Sequence, residues 1–441
     1  MIYFCKGNII LNIAILKLGI SFYKINTTLK MKKIVIALVF LSHLCYAQIT
    51  KPSKQDNDIK LTSLPYYSFG KGVGITSPDS LFQFNIRFRM QNRLTYYENE
   101  GEQSYYEAQI RRLRLRFDGF VGNPKFLYVI QLSFGTGDIG VQKSGETLNV
   151  IRDAIFYYRP SNNWQVGFGV TKLPGRRQTV NSSGGIQLTD RTINNSRFSI
   201  DRDLGLHFAN LHEKKDIFSY NFKGAITLGE GRNWSSNSAN SILKDNNGLC
   251  YTGKVELLPM GTFKRDGHYF EGDILREPKP KLMLSGSYSF NAKARKTQGQ
   301  LGDYLYETRD LSSLLLDAIA KYNGWAFMAS YNTRDTKNPV TINPSDITKT
   351  ATVFTGNGTD LQLSYCFPSK YELVGRYSTQ NVASDSKMIY PDINQYSFGV
   401  TKYIWEHALK LQTEFTTEKQ YFYDNTEKSN WYLRFEIEIG I

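Results

Sequence analysis

The run Phe82-Gln83-Phe84-Asn85-Ile86-Arg87-Phe88-Arg89-Met90-Gln91 alternates apolar and polar residues with a period of two. Successive side chains of a β-strand leave opposite faces. Phe82, Phe84, Ile86, Phe88 and Met90 therefore share one face, and Gln83, Asn85, Arg87, Arg89 and Gln91 the other. The pattern recurs where Leu113, Leu115 and Phe117 alternate with Arg112, Arg114 and Arg116. It recurs again from Trp431 to Ile441, where Tyr432, Arg434, Glu436 and Glu438 occupy the polar face. Those polar faces carry too much charge for a packed interior, so one face meets an apolar medium and the other meets water.

Working outward, about sixteen such segments follow one another from 81–94 to 428–441. Short connections such as Gly122-Asn123-Pro124-Lys125 and Tyr322-Asn323-Gly324 alternate with long polar ones at 95–106, 136–147, 173–201, 230–246, 292–309, 335–355, 382–392 and 420–427. This alternation predicts an all-β, transmembrane antiparallel β-barrel with short periplasmic turns and long extracellular loops. The connection at 260–279 breaks the rule, being long where a short turn is due. A β-sandwich also uses alternating strands, but no boundary, linker or repeat divides residues 81–441 into domains of that size, and 77–441 reads as one barrel.

Composition agrees. The 441 residues are 41% hydrophobic and 14% aromatic, with a mean hydropathy of -0.39. That is too polar for a helical membrane bundle, and no apolar run after residue 47 reaches the ~18–20 residues of a spanning helix. Met31-Lys32-Lys33, the apolar Ile34–Leu41 and Cys45-Tyr46-Ala47 form an export leader, so 1–47 reads as an upstream extension plus signal peptide. Residues 48–76 read as an irregular segment. The formal charge of +14 includes Lys6, Lys17, Lys24, Lys30, Lys32 and Lys33; without them 48 basic residues face 40 acidic ones, an excess of +8. So small an excess does not by itself imply a polyanion-binding surface, and no nucleic-acid partner is expected. Only Cys250 and Cys366 follow the leader, and their pairing stays open.

The chain resembles the phosphate-selective porins O and P. The resemblance rests on Arg111-Arg112-Leu113-Arg114-Leu115-Arg116-Phe117 with Gly119, Asp153-Ala154, and Gly167-Phe168-Gly169-Val170-Thr171-Lys172-Leu173-Pro174-Gly175-Arg176. It continues through Ser182-Ser183, Thr189-Asp190-Arg191 and Arg202-Asp203-Leu204-Gly205, and runs from about Lys71 to Ile441. Where the family often carries Pro-Phe-Gly, this chain has Leu173-Pro174-Gly175. The resemblance implies a sixteen-stranded outer-membrane barrel, a homotrimer, a third loop folded inward, an arginine ladder along the pore, and phosphate or polyphosphate as solute.

The residues themselves can do this chemistry. Arg112, Arg114 and Arg116 recur at ~6.6–6.8 Å along one strand face. Their neighbours Leu113, Leu115 and Phe117 suit lipid, so the arginines point into the lumen, and Arg87 and Arg89 repeat the arrangement one hairpin away. Such a row offers a small anion successive weak stations. The alternative is that lumenal acids (Asp118, Glu436, Glu438) neutralise the row. The long 173–201 loop adds Lys172, Arg176, Arg177, Arg191 and Arg202, with Asp190-Arg191 and Arg202-Asp203 as candidate salt bridges holding it to the wall. Arg111 has outward parity, which places it at the rim or on a bulge. His207, His212, His268 and His407 show no metal-ligand spacing, and no catalytic constellation or cofactor motif is recognisable. The expected function is passive diffusion of small hydrophilic solutes with anion preference. A surface adhesion barrel and an outer-membrane hydrolase are the alternatives.

Overall fold

The computed structural model describes residues 72–135, 138, 150–232 and 248–441; the leader and most of the segment before residue 77 lie outside them. Sixteen strands form the wall: β1 (Phe82–Asn99), β2 (Tyr105–Val121), β3 (Asn123–Ser133), β4 (Ile151–Tyr158), β5 (Trp164–Lys172), β6 (Arg202–His212), β7 (Ser219–Thr227), β8 (Cys250–Leu258), β9 (Lys281–Lys296), β10 (Tyr304–Tyr322), β11 (Trp325–Asp335), β12 (Gly356–Cys366), β13 (Tyr371–Val382), β14 (Asp392–Trp405), β15 (Leu409–Tyr421) and β16 (Glu427–Gly440). Each pairs antiparallel with its chain neighbours, and β16 closes on β1 from Asn430↔Asn99 to Gly440↔Arg89. Closure leaves the wall no free edge, the condition for a sheet to cross hydrocarbon.

The alternation read from the sequence sorts the side chains as expected. Phe88, Leu94, Phe168, Leu363, Phe398, Phe415 and Leu433 are exposed on the outside, while Gln91, Arg112, Asp118, Glu414, Glu436 and Glu438 are buried within. Aromatic rings gather at both ends of the wall. Tyr96 lies between Tyr106 at 5.0 Å and Trp431 at 5.4 Å near the long-loop end, and Trp325 packs on Tyr365 at 4.8 Å near the short-turn end.

Four features differ from the sequence reading. Most of 95–106 and 292–309 is strand, because β1–β2 and β9–β10 continue as long hairpins well beyond the expected ends. The 335–355 loop holds a small hairpin, Val340–Asn343 against Asp346–Thr352. Val73–Thr76, in the segment expected to be irregular, pairs with β1 from Val73↔Ile86 to Thr76↔Gln83. It satisfies the stretch of β1 that β16, ending at Gly440, does not reach. Finally, 260–279 is no exposed turn: it enters the barrel, with Phe263, His268, Tyr269, Phe270, Asp273 and Ile274 buried.

Cys250 and Cys366 are free and buried. Cys250 belongs to an apolar cluster with Leu173, Phe198, Ile200, Leu315 and Phe354 that seats the inward loop. Leu173, fully buried there, supplies an apolar side chain one residue before Pro174.

Candidate functional site

The β1–β2 register sets Arg87 opposite Arg116, Arg89 opposite Arg114, and Gln91 opposite Arg112. Like charges facing each other across an antiparallel pair repel, so carboxylates must stand between them. Asp118 accepts from Arg87 Nη2 and Arg116 Nε, each at 3.1 Å. Glu438 on β16 accepts from Arg89 Nε at 3.2 Å, Gln91 Nε2 at 2.7 Å and Lys410 Nζ at 3.3 Å. Asp138 takes both Arg114 Nε at 2.6 Å and Nη2 at 2.7 Å, with Arg152 at 3.5 Å. The wall is thus cross-linked by carboxylates, and each carboxylate serves more than one cation.

The ladder slips between Gln91↔Arg112 and Asn92↔Ile110, which makes Arg111 an extra, bulged residue. The bulge frees its side chain to turn inward. Arg111 Nε reaches Asp190 Oδ2 at 2.8 Å, joining Arg112 Nη2 at 2.9 Å and Arg93 Nη1 at 3.0 Å on the same carboxylate. Burial by itself would push the Asp190 carboxyl up, but the Arg112, Arg111 and Arg93 guanidiniums outweigh it and hold it well below the usual carboxylate range.

Asp190 belongs to the 173–201 loop, which crosses the lumen. Two short helices, α1 (Arg177–Val180) and α2 (Ile193–Phe198), shape it. On the far wall Arg176 Nη2 meets Asp360 of β12 at 2.7 Å, and Thr189 Oγ1 donates to Glu414 of β15 at 2.6 Å. Lys410 Nζ, also on β15, donates to the Gly184 and Ile186 carbonyls, and Arg334 of β11 to those of Arg197 and Ser199.

The basic residues of this loop do not form one cluster. Arg177 donates to the His268 and Phe270 carbonyls, on the 260–279 insertion. Arg191 donates to the Gln178 and Asn181 carbonyls of its own loop, and Lys172 Nζ to those of Val180 and Asn181. Arg202 pairs with Asp153 at 3.1 Å and Asp201 at 3.3 Å. Neither expected local bridge forms. Asp190 turns to the wall arginines instead of the Arg191 guanidinium, and Asp203 accepts from Thr227, Gly229 and Gly231 instead of Arg202.

The 260–279 insertion meets this loop from the short-turn end. Glu271 accepts from Gln178 Nε2 at 2.8 Å, the Gln187 amide at 3.0 Å and Gln362 Nε2 at 3.2 Å. Lys321 Nζ ties the insertion to β10 through the Gly267 and Gly272 carbonyls. A cavity of about 870 Å³ remains at that mouth, lined in part by Lys264, Phe270, Leu275, Trp405 and Ile441. Among the described residues no group of side chains could hold a metal ion.

Sequence reasoning missed Asp138, Arg152, Asp190 as wall partner, Lys410 and the insertion. Inward parity on the penultimate strand marks Lys410; the two aspartates lie in loops, where no periodicity exists to find them.

Residues 83–241 match the family described as phosphate-selective porin O and P. No curated protein matches the chain. Among solved structures the chain is similar to the outer membrane channel DcaP of Acinetobacter baumannii, at 10% identity and a TM-score of 0.51, covering 84% of this chain and 100% of that one. It is also similar to an anion-selective porin from Comamonas acidovorans, at 11% identity and a TM-score of 0.48, covering 82% and 100%. A third is the trimer form of OmpT, an outer membrane protein of Vibrio cholerae, at 12% identity and a TM-score of 0.45, covering 80% and 99%. At these identities the likeness concerns the fold.

Proposed function

We propose that this outer-membrane channel for small solutes, whose residues 83–241 match the phosphate-selective porin O and P family, prefers anions and takes phosphate-like oxyanions. The observation that carries the reading is that, among the described residues, the cations along the β1–β2 wall share the carboxylates they pair with. Asp118 serves Arg87 and Arg116, Glu438 serves Arg89 and Lys410, Asp138 serves Arg114 and Arg152, and Asp190 serves Arg93, Arg111 and Arg112. The arginines are ion-paired, and positive charge left over from that pairing supports the anion-guiding role. In a narrow aqueous lumen with low-dielectric walls that surplus focuses an attractive field on passing anions. Partly neutralised guanidiniums bind weakly enough to release, which conduction requires. Arg87, Arg89, Arg112, Arg114 and Arg116 form the path on this reading. Lys172, Arg176, Arg177, Arg191 and Arg202 position the loop that narrows it. The resemblance supports a homotrimer, for which native mass spectrometry in detergent is the test.

Planar-bilayer recording tests the function. A KCl gradient should give a reversal potential of anionic sign, reduced when Arg112, Arg114 and Arg116 are together changed to Gln. Cation preference in the parent protein would refute the reading. A barrel that inserts without conducting would favour the adhesion or hydrolase alternatives.

A further inference from the structure

Two sets of aromatic residues meet at the long-loop end of β1, β2 and β16. Tyr96, Tyr106 and Trp431 pack together on the outside. Tyr97 lies opposite Tyr105 in one ladder and opposite Tyr432 in the other, so these three share the lumenal face with Arg93 and Glu436. Tyr97 stacks on Tyr105, with centroids 4.9 Å apart and planes 23° from parallel, and Tyr432 follows at 6.0 Å. The other lumenal aromatics of the described wall, Phe120, Tyr157 and Tyr403, are buried, whereas Tyr105 is 46% exposed and Tyr97 and Tyr432 are half-buried. Ring surface is thus left against water inside the channel, which costs free energy until a solute covers it.

Polar groups fringe the rings in fixed orientations. Tyr97 Oη accepts from Arg434 Nη2 at 3.2 Å and donates to Glu107 Oε2 at 3.3 Å. Glu107 Oε2 also accepts from Gln109 Nε2 at 2.8 Å, and Tyr432 Oη donates to Glu414 Oε1 at 3.0 Å. The Arg434 guanidinium lies 3.8 Å over the Tyr432 ring. Acids and bases balance here: Glu107 and Glu414 stand against Arg434 and Arg376, the last 3.7 Å from Glu414. On the β1–β2 wall below, by contrast, several cations share each carboxylate. An anion therefore gains little at the level of the tyrosines, while a neutral solute rich in hydroxyl donors finds acceptors in Glu107 and Gln109.

We propose that Tyr97, Tyr105 and Tyr432 form a stacking site for a neutral sugar at the long-loop mouth of the channel. One face of a pyranose is a surface of C–H groups, which suits a tyrosine ring, and its edge carries hydroxyls, which suit a carboxylate and an amide. Tyr97 lies two lumenal positions, ~13 Å, from Arg93, so a solute entering from the long-loop side meets the rings before the inward loop. Stacking on rings that remain partly wet is weak, and the sugar moves on, as conduction requires. The site goes beyond the anion-preferring reading and does not rest on it.

The test is block of chloride current through the full-length channel in planar bilayers, with maltose as the probe and a poly(ethylene glycol) of similar size as the control. Maltose added on the long-loop side should reduce the current saturably. The polymer has neither the ring face nor the hydroxyl edge, and should reduce it only as far as it lowers bath conductivity. Tyr105→Ala should raise the half-blocking maltose concentration by about fivefold to tenfold, the worth of one aromatic contact, and leave the sugar-free current unchanged. Tyr105→Phe keeps the ring and should keep the block. Glu107→Gln exchanges a charged acceptor for a neutral one and should weaken the block by about fivefold. Equal effects of maltose and polymer, or block unchanged in both Tyr105→Ala and Glu107→Gln, would show that the rings only brace the hairpin and would overturn the site. Block by benzyl alcohol but not by maltose would assign the rings to flat aromatic solutes and overturn the sugar reading. If Tyr105→Ala does not assemble, Glu107→Gln decides.

Discussion

The Arg176–Asp360 pair, which seats the inward loop on the far wall, makes an asymmetric demand on its two partners. Asp360 Oδ2 accepts from Arg176 Nη2 at 2.7 Å, Ser330 Oγ at 2.8 Å and Thr192 Oγ1 at 3.1 Å, and its Oδ1 from Asn194 Nδ2 at 2.9 Å. Arg176 has Ser330 Oγ at 3.2 Å as its other side-chain contact, and its Nε and Nη1 are buried without partners. Both side chains are dry, at 2% and 7% exposure. Removing the guanidinium leaves a carboxylate that three neutral donors still satisfy. Arg176→Met should therefore cost about 1.5–3 kcal/mol, the range of a hydrogen bond to a charged group. Asp360→Asn strands a buried guanidinium and should cost about 3–5 kcal/mol. The double variant strands neither charge and should cost less than the sum of the two. Conversion of the folded to the unfolded gel form across a urea series provides the assay. With a slope of roughly 3 kcal/mol per molar, Asp360→Asn should move the midpoint down by about 1 M or more. Equal costs for the two single variants, or strict additivity in the double, would refute the pairing argument.

Replacing 262–276 by a two-residue turn should raise single-channel conductance, because the insertion fills the lumen beside the 173–201 loop; an unchanged conductance would show that solutes pass elsewhere. Burial holds the His268 imidazole down at about 3 against an ordinary 6.5, so its contribution to stability is full above about 6.5 and falls away as pH drops toward 3. His268→Gln should flatten that acid limb of a urea-midpoint profile, and a profile of unchanged steepness would argue against it. Cys250 and Cys366, buried and unbonded, should react with a water-soluble maleimide only after unfolding, and mobility on gels should be the same with and without reductant; prompt labelling of the folded barrel would contradict their placement.

Much of the wall was legible in the chain because strand alternation is local. A residue and the one two positions along it share a face whatever the rest of the protein does. Leu113, Leu115 and Phe117 therefore turned Arg112, Arg114 and Arg116 inward, and sixteen repetitions of that rule led to a closed barrel. The same rule could not place Arg111, because a bulge cancels parity at one residue, and it is the register against β1 that creates the bulge. Nor could it foresee how far the β1–β2 and β9–β10 hairpins rise, since the polar residues there look alike in a loop and in a strand above the membrane.

The chain by itself determined the class of fold, the inward face of each strand and the abundance of arginine on the β1–β2 hairpin. Only the tertiary structure decided which acid meets which base. Asp190 and Arg112 are 78 positions apart and Arg176 and Asp360 184. No local pattern relates residues at such separations. Their meeting follows from closure of the barrel and from the path of a loop across its interior. That is also why Asp190 beside Arg191 and Asp203 beside Arg202 were the wrong pairs: successive residues of an extended chain point apart, and the inward loop carries Asp190 to the arginines of β1 and β2.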